Sequence, residues 1–129
     1  MGDKSKRILV IDDEPSLHEM LRVILELGGY QAVGNQPGAT GGKELTESKP
    51  DLIVLDLMMP DVDGFEILRR LKGDEETRDI PVVICTVRDY PEDHMLAQEL
   101  GASRYITKPF EPSEFLEVIS EVLQETDAA

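Results

Sequence analysis

The sequence predicts an α/β fold in which a parallel five-stranded sheet carries helices on both faces. Two observations lead to this prediction: apolar runs of strand length recur along the chain, and helical patterns alternate with them. The runs are rich in Val, Ile and Leu and do not alternate with polar residues, as in strands buried on both faces. They span residues 8–11, 30–33, 52–55, 82–85 and 105–106.

The first and last helices are predicted from apolar residues that recur once per helical turn. In the first helix, Ser16 and Glu19 are expected to form a capping box, and Gly28 is expected to be the C′ residue. The apolar positions are Leu17, Met20, Leu21, Ile24 and Leu25 in the first helix and Phe115, Val118, Ile119, Val122 and Leu123 in the last.

The middle helices show shorter patterns. A third helix is predicted from Phe65, Leu68 and Leu71 with Gly73 after it, and a fourth from Met95, Leu96 and Leu100 with Gly101 after it. A second helix at residues 39–48 is the weakest, because its two adjacent glycines each lower helix propensity by about 1 kcal/mol relative to Ala. The predicted order is therefore strand then helix, repeated five times.

Length and charge restrict the function classes. The 129 residues include 13 Lys+Arg and 27 Asp+Glu, a net charge of −14. This length fits one domain, residues 1–129, with a core at about 7–124. An acidic chain repels polyanions, so we expect no direct nucleic-acid binding. The apolar runs are far shorter than the ~20 residues of a membrane span, so no membrane insertion is expected. The single cysteine, Cys85, is expected to pack in a strand, and it suits a cytoplasmic location.

Polar side chains follow four of the five predicted strands. The residues at these strand ends are Asp12, Asp13, Asp56, Thr86 and Lys108. In open α/β sheets, ligands bind outside the carboxyl ends of the strands. We therefore expect these five side chains to share one edge of the sheet.

The acidic members of this set predict a phosphate site that depends on a metal. If the three aspartates converge, their ionised forms destabilise one another, and a hard divalent cation relieves the repulsion. Mg²⁺ fits because it takes one or two carboxylates, keeps waters and completes its shell with phosphate oxygens. A carboxylate beside Mg²⁺ and Lys108 can act as a nucleophile toward phosphorus, and Thr86 can donate a hydrogen bond to a phosphoryl oxygen.

With these residues in place, the chain resembles the receiver domain of two-component response regulators, and among them the chemotaxis regulators. The matching stretches, within about residues 7–124, are ILVIDDEPSLHEMLRVIL, DLIVLDLMMPDVDGFEILRRLK, PVVICT and GASRYITKPF. The resemblance implies a flavodoxin-like (βα)5 fold with strand order 2-1-3-4-5. It also implies phosphorelay signalling, with a histidine kinase or phosphotransfer protein as donor. A downstream effector protein or a missing output domain would receive the signal.

The resemblance also implies roles for individual residues. Asp56 is implied to be the phosphoacceptor, and Asp12 and Asp13 resemble the acidic pair that positions Mg²⁺, with Asp13 favoured as the direct ligand. Asp56 and the backbone carbonyl of Met58 are the other implied metal ligands. Lys108 resembles the family's invariant lysine, and its peptide bond to the following proline is expected to be cis. Such a protein takes up a phosphoryl group on itself and is not a turnover enzyme.

Thr86 and Tyr105 resemble the family's switch pair. After phosphorylation Thr86 would bind the phosphoryl group and Tyr105 would turn into the vacated space, which changes the surface of the fourth helix, fifth strand and fifth helix. Two variable positions tune phosphoryl lifetime in the family, and here they are Met58 and Arg88. The apolar Met58 predicts slow self-dephosphorylation. Arg88 is expected either to reach the phosphoryl group or to lie in solvent.

Other functions fit the sequence less well. A phosphatase of the haloacid dehalogenase type needs a second Asp two residues after the nucleophile, where Met58 stands. A flavodoxin is disfavoured by the acidic first loop and the few aromatic residues. A pseudo-receiver that only docks partners stays the alternative, although the acids and Lys108 are present. Residues 101–105 lack the Ala-Asp-Asp-Tyr form common in winged-helix transcription regulators, which disfavours that class. His18 and His94 are expected on polar helix faces.

Overall fold

Five parallel strands form the centre of the computed structural model, which describes residues 6–35, 49–60 and 62–128. The strands are β1 (Arg7–Ile11), β2 (Gln31–Asn35), β3 (Leu52–Leu55), β4 (Val82–Thr86) and β5 (Arg104–Thr107). The described residues also form four helices, α1 (Pro15–Leu27), α2 (Gly64–Gly73), α3 (Pro91–Glu99) and α4 (Pro112–Ala128). A short antiparallel pair, Met58–Met59 with Val62–Asp63, follows β3. None of these helices has the length and apolar character needed to cross a membrane.

The strand order is β2-β1-β3-β4-β5, and all neighbouring strands are parallel. The predicted fold class and the order 2-1-3-4-5 are therefore confirmed. Each predicted strand lies within two residues of its observed bounds, because strands buried on both faces give continuous apolar runs. The helix predicted at residues 39–48 lies outside the described residues.

Both faces of the sheet are buried. Ile8 and Val10 of β1 pack into a core with α1 and α4, whereas Leu9 and Ile11 pack into a second core with α2 and α3. These four side chains are at most 2% exposed. Successive strand residues point to opposite faces, so one strand contributes to both cores. Cys85 is buried in the first core, as expected for a strand residue, and burial raises its pKa to about 12.

The start of α1 differs from the prediction. Its N-cap is Glu14, which makes no side-chain capping bond, and Pro15 is the first helical residue. A proline fits there because the first helical N–H has no partner within the helix. The capping box of Ser16 and Glu19 is therefore wrong: Ser16 lies inside the first turn, and Glu19 pairs with Arg22.

The end of α1 uses two glycines for different purposes. Gly28 is the C-cap with φ of −82°, and Gly29 has φ of +91°. Gly29, and not Gly28 as predicted, thus takes the left-handed conformation typical of the C′ position. Gly28 serves packing instead, since a Cβ atom there would lie 2.7 Å from Cδ2 of Leu116 in α4.

The face of α3 that meets the sheet is also different from the prediction. Met95 is 62% exposed, whereas Asp93 and Ala97 are buried. Leu96 and Leu100 pack partly against the core, as expected. Adjacent helical residues point about 100° apart, and in α3 the sheet-facing side is centred on Asp93 and Ala97, which leaves Met95 on the solvent side.

Candidate functional site

Three carboxylates meet at the carboxyl edge of the sheet. Asp12 and Asp13 follow β1, and Asp56 follows β3, the neighbouring parallel strand. One carboxylate oxygen from each residue lies within 4.8 Å of the other two. Asp12 and Asp56 are buried and Asp13 is exposed, so the cluster is open to solvent on one side. The structure therefore brings together the three aspartates that the sequence placed at one edge.

Lys108 connects two of these carboxylates. Its Nζ lies 3.0 Å from Oδ2 of Asp12 and 3.1 Å from Oδ2 of Asp56, and its side chain is 12% exposed. The residue directly follows β5, and its backbone N–H donates to the carbonyl of Thr86 at the end of β4, at 2.8 Å. The peptide bond between Lys108 and Pro109 is cis, as predicted.

Burial and charge act against each other in this cluster. Burial raises the pKa of Asp12, and this outweighs the lowering effects of the Glu14 N–H and of Lys108. Burial alone would lower the pKa of Lys108, but the charges of Asp56 and Asp12 have the larger effect, and the pKa is raised overall. One ammonium group thus serves two buried carboxylates. With Asp13, the three acids and one base carry a formal charge of −2, and this excess of negative charge favours a bound cation.

The donor set fits a hard divalent cation. Carboxylate oxygens are the ligands that Mg²⁺ and Ca²⁺ prefer. The second oxygen of each buried acid is also held in place: Oδ1 of Asp12 accepts the Glu14 N–H at 2.9 Å, and Oδ1 of Asp56 accepts the Met58 N–H at 3.0 Å. These bonds fix the carboxylates before any ion arrives. The bond to Asp56 also places the Met58 backbone beside the cluster, while the role of its carbonyl stays a prediction.

Thr86 lies at the same edge, at the end of β4. Its side chain is fully buried, and its Oγ1 accepts the backbone N–H of Arg88 at 3.4 Å. The Arg88 side chain is paired within the protein and does not simply lie in solvent, while its reach to a phosphoryl group stays a prediction. Its Nε and Nη2 donate to Oδ2 and Oδ1 of Asp93 at 2.9 and 3.0 Å, so the guanidinium is paired with the first turn of α3.

Tyr105 is half-buried on β5 and contacts the same loop. Its hydroxyl donates to the carbonyl of Arg88 at 2.8 Å, and its ring stacks on His94 with 3.7 Å between centroids. Burial, together with Asp93 and nearby acids, raises the pKa of Tyr105 to about 12. Thr86 and Tyr105 therefore hold the N–H and the C=O of one residue, Arg88, from two neighbouring strands.

Several side-chain pairings around the site could not be predicted from the sequence. Asp93 pairs with Arg88 across a loop, and Asp89 lies 2.8 Å from Nε2 of His94. His18 was expected on a polar face but is half-buried, with Nε2 3.2 Å from the carbonyl of Val10. These pairings depend on how loops and strands meet, and the periodicity of one helix does not report them.

Comparison with known proteins gives the family. The family model of the response regulator receiver domain matches residues 8–120 of the sequence. The chain is 40% identical over 121 residues to the phosphate regulon transcriptional regulatory protein PhoB of Pseudomonas aeruginosa, covering 94% of this chain and 53% of that protein. It is 37% identical to Protein PilH of the same species, covering 91% of this chain and 97% of that protein. The chain thus spans about half the length of PhoB and nearly all of PilH.

Transcriptional regulators are therefore among the relatives of this chain. The chain has Ser103 and Arg104 in place of the two aspartates of the Ala-Asp-Asp-Tyr form. Its overall sequence is nevertheless similar to that of a transcriptional regulator.

Solved structures agree with this comparison. A CheY-like response regulator receiver domain protein from Methanospirillum hungatei superposes with a TM-score of 0.85 at 28% identity, covering 97% of this chain and 98% of that one. The signal receiver domain of a signal transduction histidine kinase from Syntrophus aciditrophicus gives 0.83 at 35% identity, covering 94% and 92%. From its sequence and its fold alike, the chain belongs to the family of response regulator receiver domains.

Proposed function

We propose that this receiver domain is a phosphoacceptor in two-component phosphorelay signalling, with Asp56 as the residue that takes the phosphoryl group. The observation that carries the proposal is the setting of the Asp56 carboxylate. It is buried at the sheet edge, bound by Lys108 and by the Met58 N–H, and it lies beside Asp12 and Asp13. A nucleophilic carboxylate for phosphorus needs this combination of orientation and neighbouring positive charge.

The transfer follows from these contacts. A carboxylate oxygen of Asp56 attacks the phosphorus of a phosphohistidine, the new P–O bond forms as the P–N bond breaks, and the imidazole leaves and takes a proton. Asp12, Asp13, Asp56 and the Met58 carbonyl would hold Mg²⁺, which supplies charge neutralisation on the phosphoryl oxygens. Lys108, 3.1 Å from Asp56, offsets further charge on these oxygens. The product stays on the chain, so the protein is a phosphoacceptor and not a turnover enzyme.

The contacts of Arg88 support a switch that starts at Thr86. Thr86 Oγ1 accepts the Arg88 N–H, and Tyr105 donates to the Arg88 carbonyl. If the Thr86 hydroxyl turns to a phosphoryl oxygen, the Arg88 backbone loses one contact and the acceptor of Tyr105 shifts with it. The surface of α3, β5 and α4, which corresponds to the predicted fourth helix, fifth strand and fifth helix, then changes with phosphorylation.

The partners follow from the same chemistry. The donor is a histidine kinase or a phosphotransfer protein, and the recipient of the signal is an effector protein or an output domain. PhoB, which is about twice as long as this chain, and PilH, which is about as long, are both represented among its relatives. We place the function in the cytoplasm, where ATP is available to load histidine kinases.

The direct test is intact-mass measurement after incubation with acetyl phosphate and Mg²⁺. We expect one adduct of about 80 Da in the wild type, because a single phosphoryl group is added. The adduct should need Mg²⁺ and be absent from Asp56→Asn. The control is Asp74→Asn, an exposed acid outside the site with the same change of charge, and it should keep the adduct. No adduct with acetyl phosphate or other donors would favour the pseudo-receiver that only docks partners.

The lifetime of the phosphoryl group is a second part of the proposal. The side chain of Met58 is exposed at the rim of the site, next to Asp56, to which its backbone N–H is bound. An apolar side chain there hinders an attacking water, so we expect slow self-dephosphorylation. The loss of the 80 Da adduct is followed by mass after the donor is removed. A half-life of seconds in the purified protein would contradict this expectation.

A further inference from the structure

We propose that Asp93 is a positioning residue for phosphoryl chemistry at Asp56, because its carboxylate holds the Arg88 guanidinium away from the phosphoryl group. This inference rests on the proposed function of Asp56. It concerns the release of the phosphoryl group: water attacks phosphorus, the bond to the Asp56 oxygen breaks, and the carboxylate and inorganic phosphate result. The effect of Asp93 on this step would pass through Arg88.

The pair between Arg88 and Asp93 is built to hold the guanidinium in one place. Two parallel hydrogen bonds of 2.9 and 3.0 Å join the planar guanidinium to both carboxylate oxygens. Such a fork is stronger and more directional than a single ion pair. The Asp93 side chain is 10% exposed and lies in the first turn of α3, where the helix dipole also favours a carboxylate. Asp93 is thus a fixed acceptor.

Arg88 is held at the rim of the acidic site. Its backbone is bound to Thr86 through the N–H, and its guanidinium carbon lies 5.9 Å above the ring of Phe65. Phe65 follows Gly64, which packs so closely on the phosphoacceptor segment that a Cβ atom there would lie 2.7 Å from the carbonyl oxygen of Asp56. The guanidinium therefore lies between the loop after β4 and the start of α2, and both of these segments border Asp56.

Two acceptors then compete for one guanidinium. A phosphoryl group on Asp56 would carry about −1.5 to −2 charge and three acceptor oxygens, in place of the single negative charge of the carboxylate. Arg binds phosphate with the same fork geometry as carboxylate, so the phosphoryl group is a natural alternative partner. The carboxylate of Asp93 keeps Arg88 on α3. Without it, Arg88 would turn to the phosphoryl oxygens and occupy the approach of water, and the phosphoryl group would last longer.

The test compares phosphoryl lifetimes in five chains after loading with acetyl phosphate and Mg²⁺. We expect Asp93→Asn to lengthen the half-life about three- to tenfold, the range for the net gain of one hydrogen bond. In the double variant with Arg88→Gln, the half-life should match that of Arg88→Gln alone. Asp89→Asn is the matched control, because Asp89 is a nearby acid that binds His94 and Thr107. It should leave the half-life unchanged.

Two results would overturn the inference. One is a half-life in Asp93→Asn equal to that of the wild type, and the other is an equal lengthening with and without Arg88, which a merely structural role of Asp93 would produce. Thermal unfolding shows whether each chain is folded, and Asp93→Ser, a smaller neutral side chain, is measured in parallel. A wild type that takes no phosphoryl group overturns the proposed function and this inference together. A phosphorylated wild type with no effect of Asp93 overturns this inference alone.

Discussion

The helices α3 and α4 lie beside the same strand, β5, on opposite faces of the sheet, yet different forces hold them. On α4, Phe115, Ile119 and Val122 are at most 1% exposed and lie in a large apolar core. On α3, the buried residues are Ala97 and Asp93, one small and one charged. The longer apolar side chains are concentrated on α4.

Polar contacts make up part of the difference on α3. Asp93 binds Arg88, and His94 stacks on Tyr105 while it contacts Asp89. Apolar burial is not directional and tolerates small shifts, whereas hydrogen bonds are lost steeply when their geometry changes. The polar contacts of α3 lead to the loop after β4 and to β5. We therefore expect a change at the end of β4 to move α3 more than α4.

The largest expected effect is on α4. Phe115→Ala removes a fully buried ring from the first core, and we expect the free energy of unfolding to fall by about 3–5 kcal/mol. Urea unfolding measures this change. Leu116→Ala is the comparison, since Leu116 is only partly buried and should lose less. A loss below about 1 kcal/mol for Phe115→Ala would show that α4 is not the anchor.

A smaller and more local effect is expected on α3. Asp93→Asn leaves the guanidinium of Arg88 without its charged partner, and we expect a loss of about 1–3 kcal/mol. Arg88 is 37% exposed, so solvent screens part of the interaction and places the loss toward the lower value. Hydrogen exchange should become faster in α3 and stay unchanged in α4. An equal increase in both helices would contradict the comparison.

The pH dependence of stability sharpens the same comparison at Tyr105. Its folded pKa of about 12 lies above the ordinary value of 10.0, because burial disfavours the phenolate. The contribution of the neutral phenol is fully present below about pH 10 and is lost as the pH rises toward about 12. Unfolding free energy measured across this window should fall less steeply in Tyr105→Phe than in the wild type. Equal slopes would show that Tyr105 is not held in a buried setting.

The smallest effect is expected at the exposed side of α3. Met95→Gln changes a largely exposed side chain, and we expect the unfolding free energy to change by no more than about 0.5 kcal/mol. Leu96→Gln, one residue along, should cost more because Leu96 packs partly against the core. Thermal unfolding of both variants is sufficient. A larger loss at Met95 than at Leu96 would restore the apolar face predicted from the sequence.

The sequence predicted best those parts of the molecule in which apolar residues follow one another without interruption. The strands carry unbroken apolar runs such as 52–55, and a parallel sheet brings their polar ends to one edge, so the sequence is sufficient to predict the cluster of Asp12, Asp13 and Asp56. Lys108 could be added in the same way. The chemical roles of these four residues are a question of reactivity, and the proposed phosphorylation test measures it.

What the sequence did not predict depends on pairs of residues and on helix rotation. The contact of Asp93 with Arg88 requires the loop after β4 to turn back on α3. The exposure of Met95 depends on where α3 begins, and a nine-residue helix offers few apolar positions to define its rotation. At α1, Gly28 and Gly29 are adjacent, and their roles are distinguished by the packing of Leu116 against Gly28 and by the positive φ of Gly29.

The exposure of Asp13, beside two buried partners, has a consequence for speed. A cation can enter and leave on this side without any opening of the sheet, so ion exchange would be limited by loss of water from the ion itself. Binding would then re-equilibrate quickly whenever the supply of free ion changes. The rate at which Asp56 accepts a phosphoryl group would then depend on the current concentration of free ion and not on earlier concentrations.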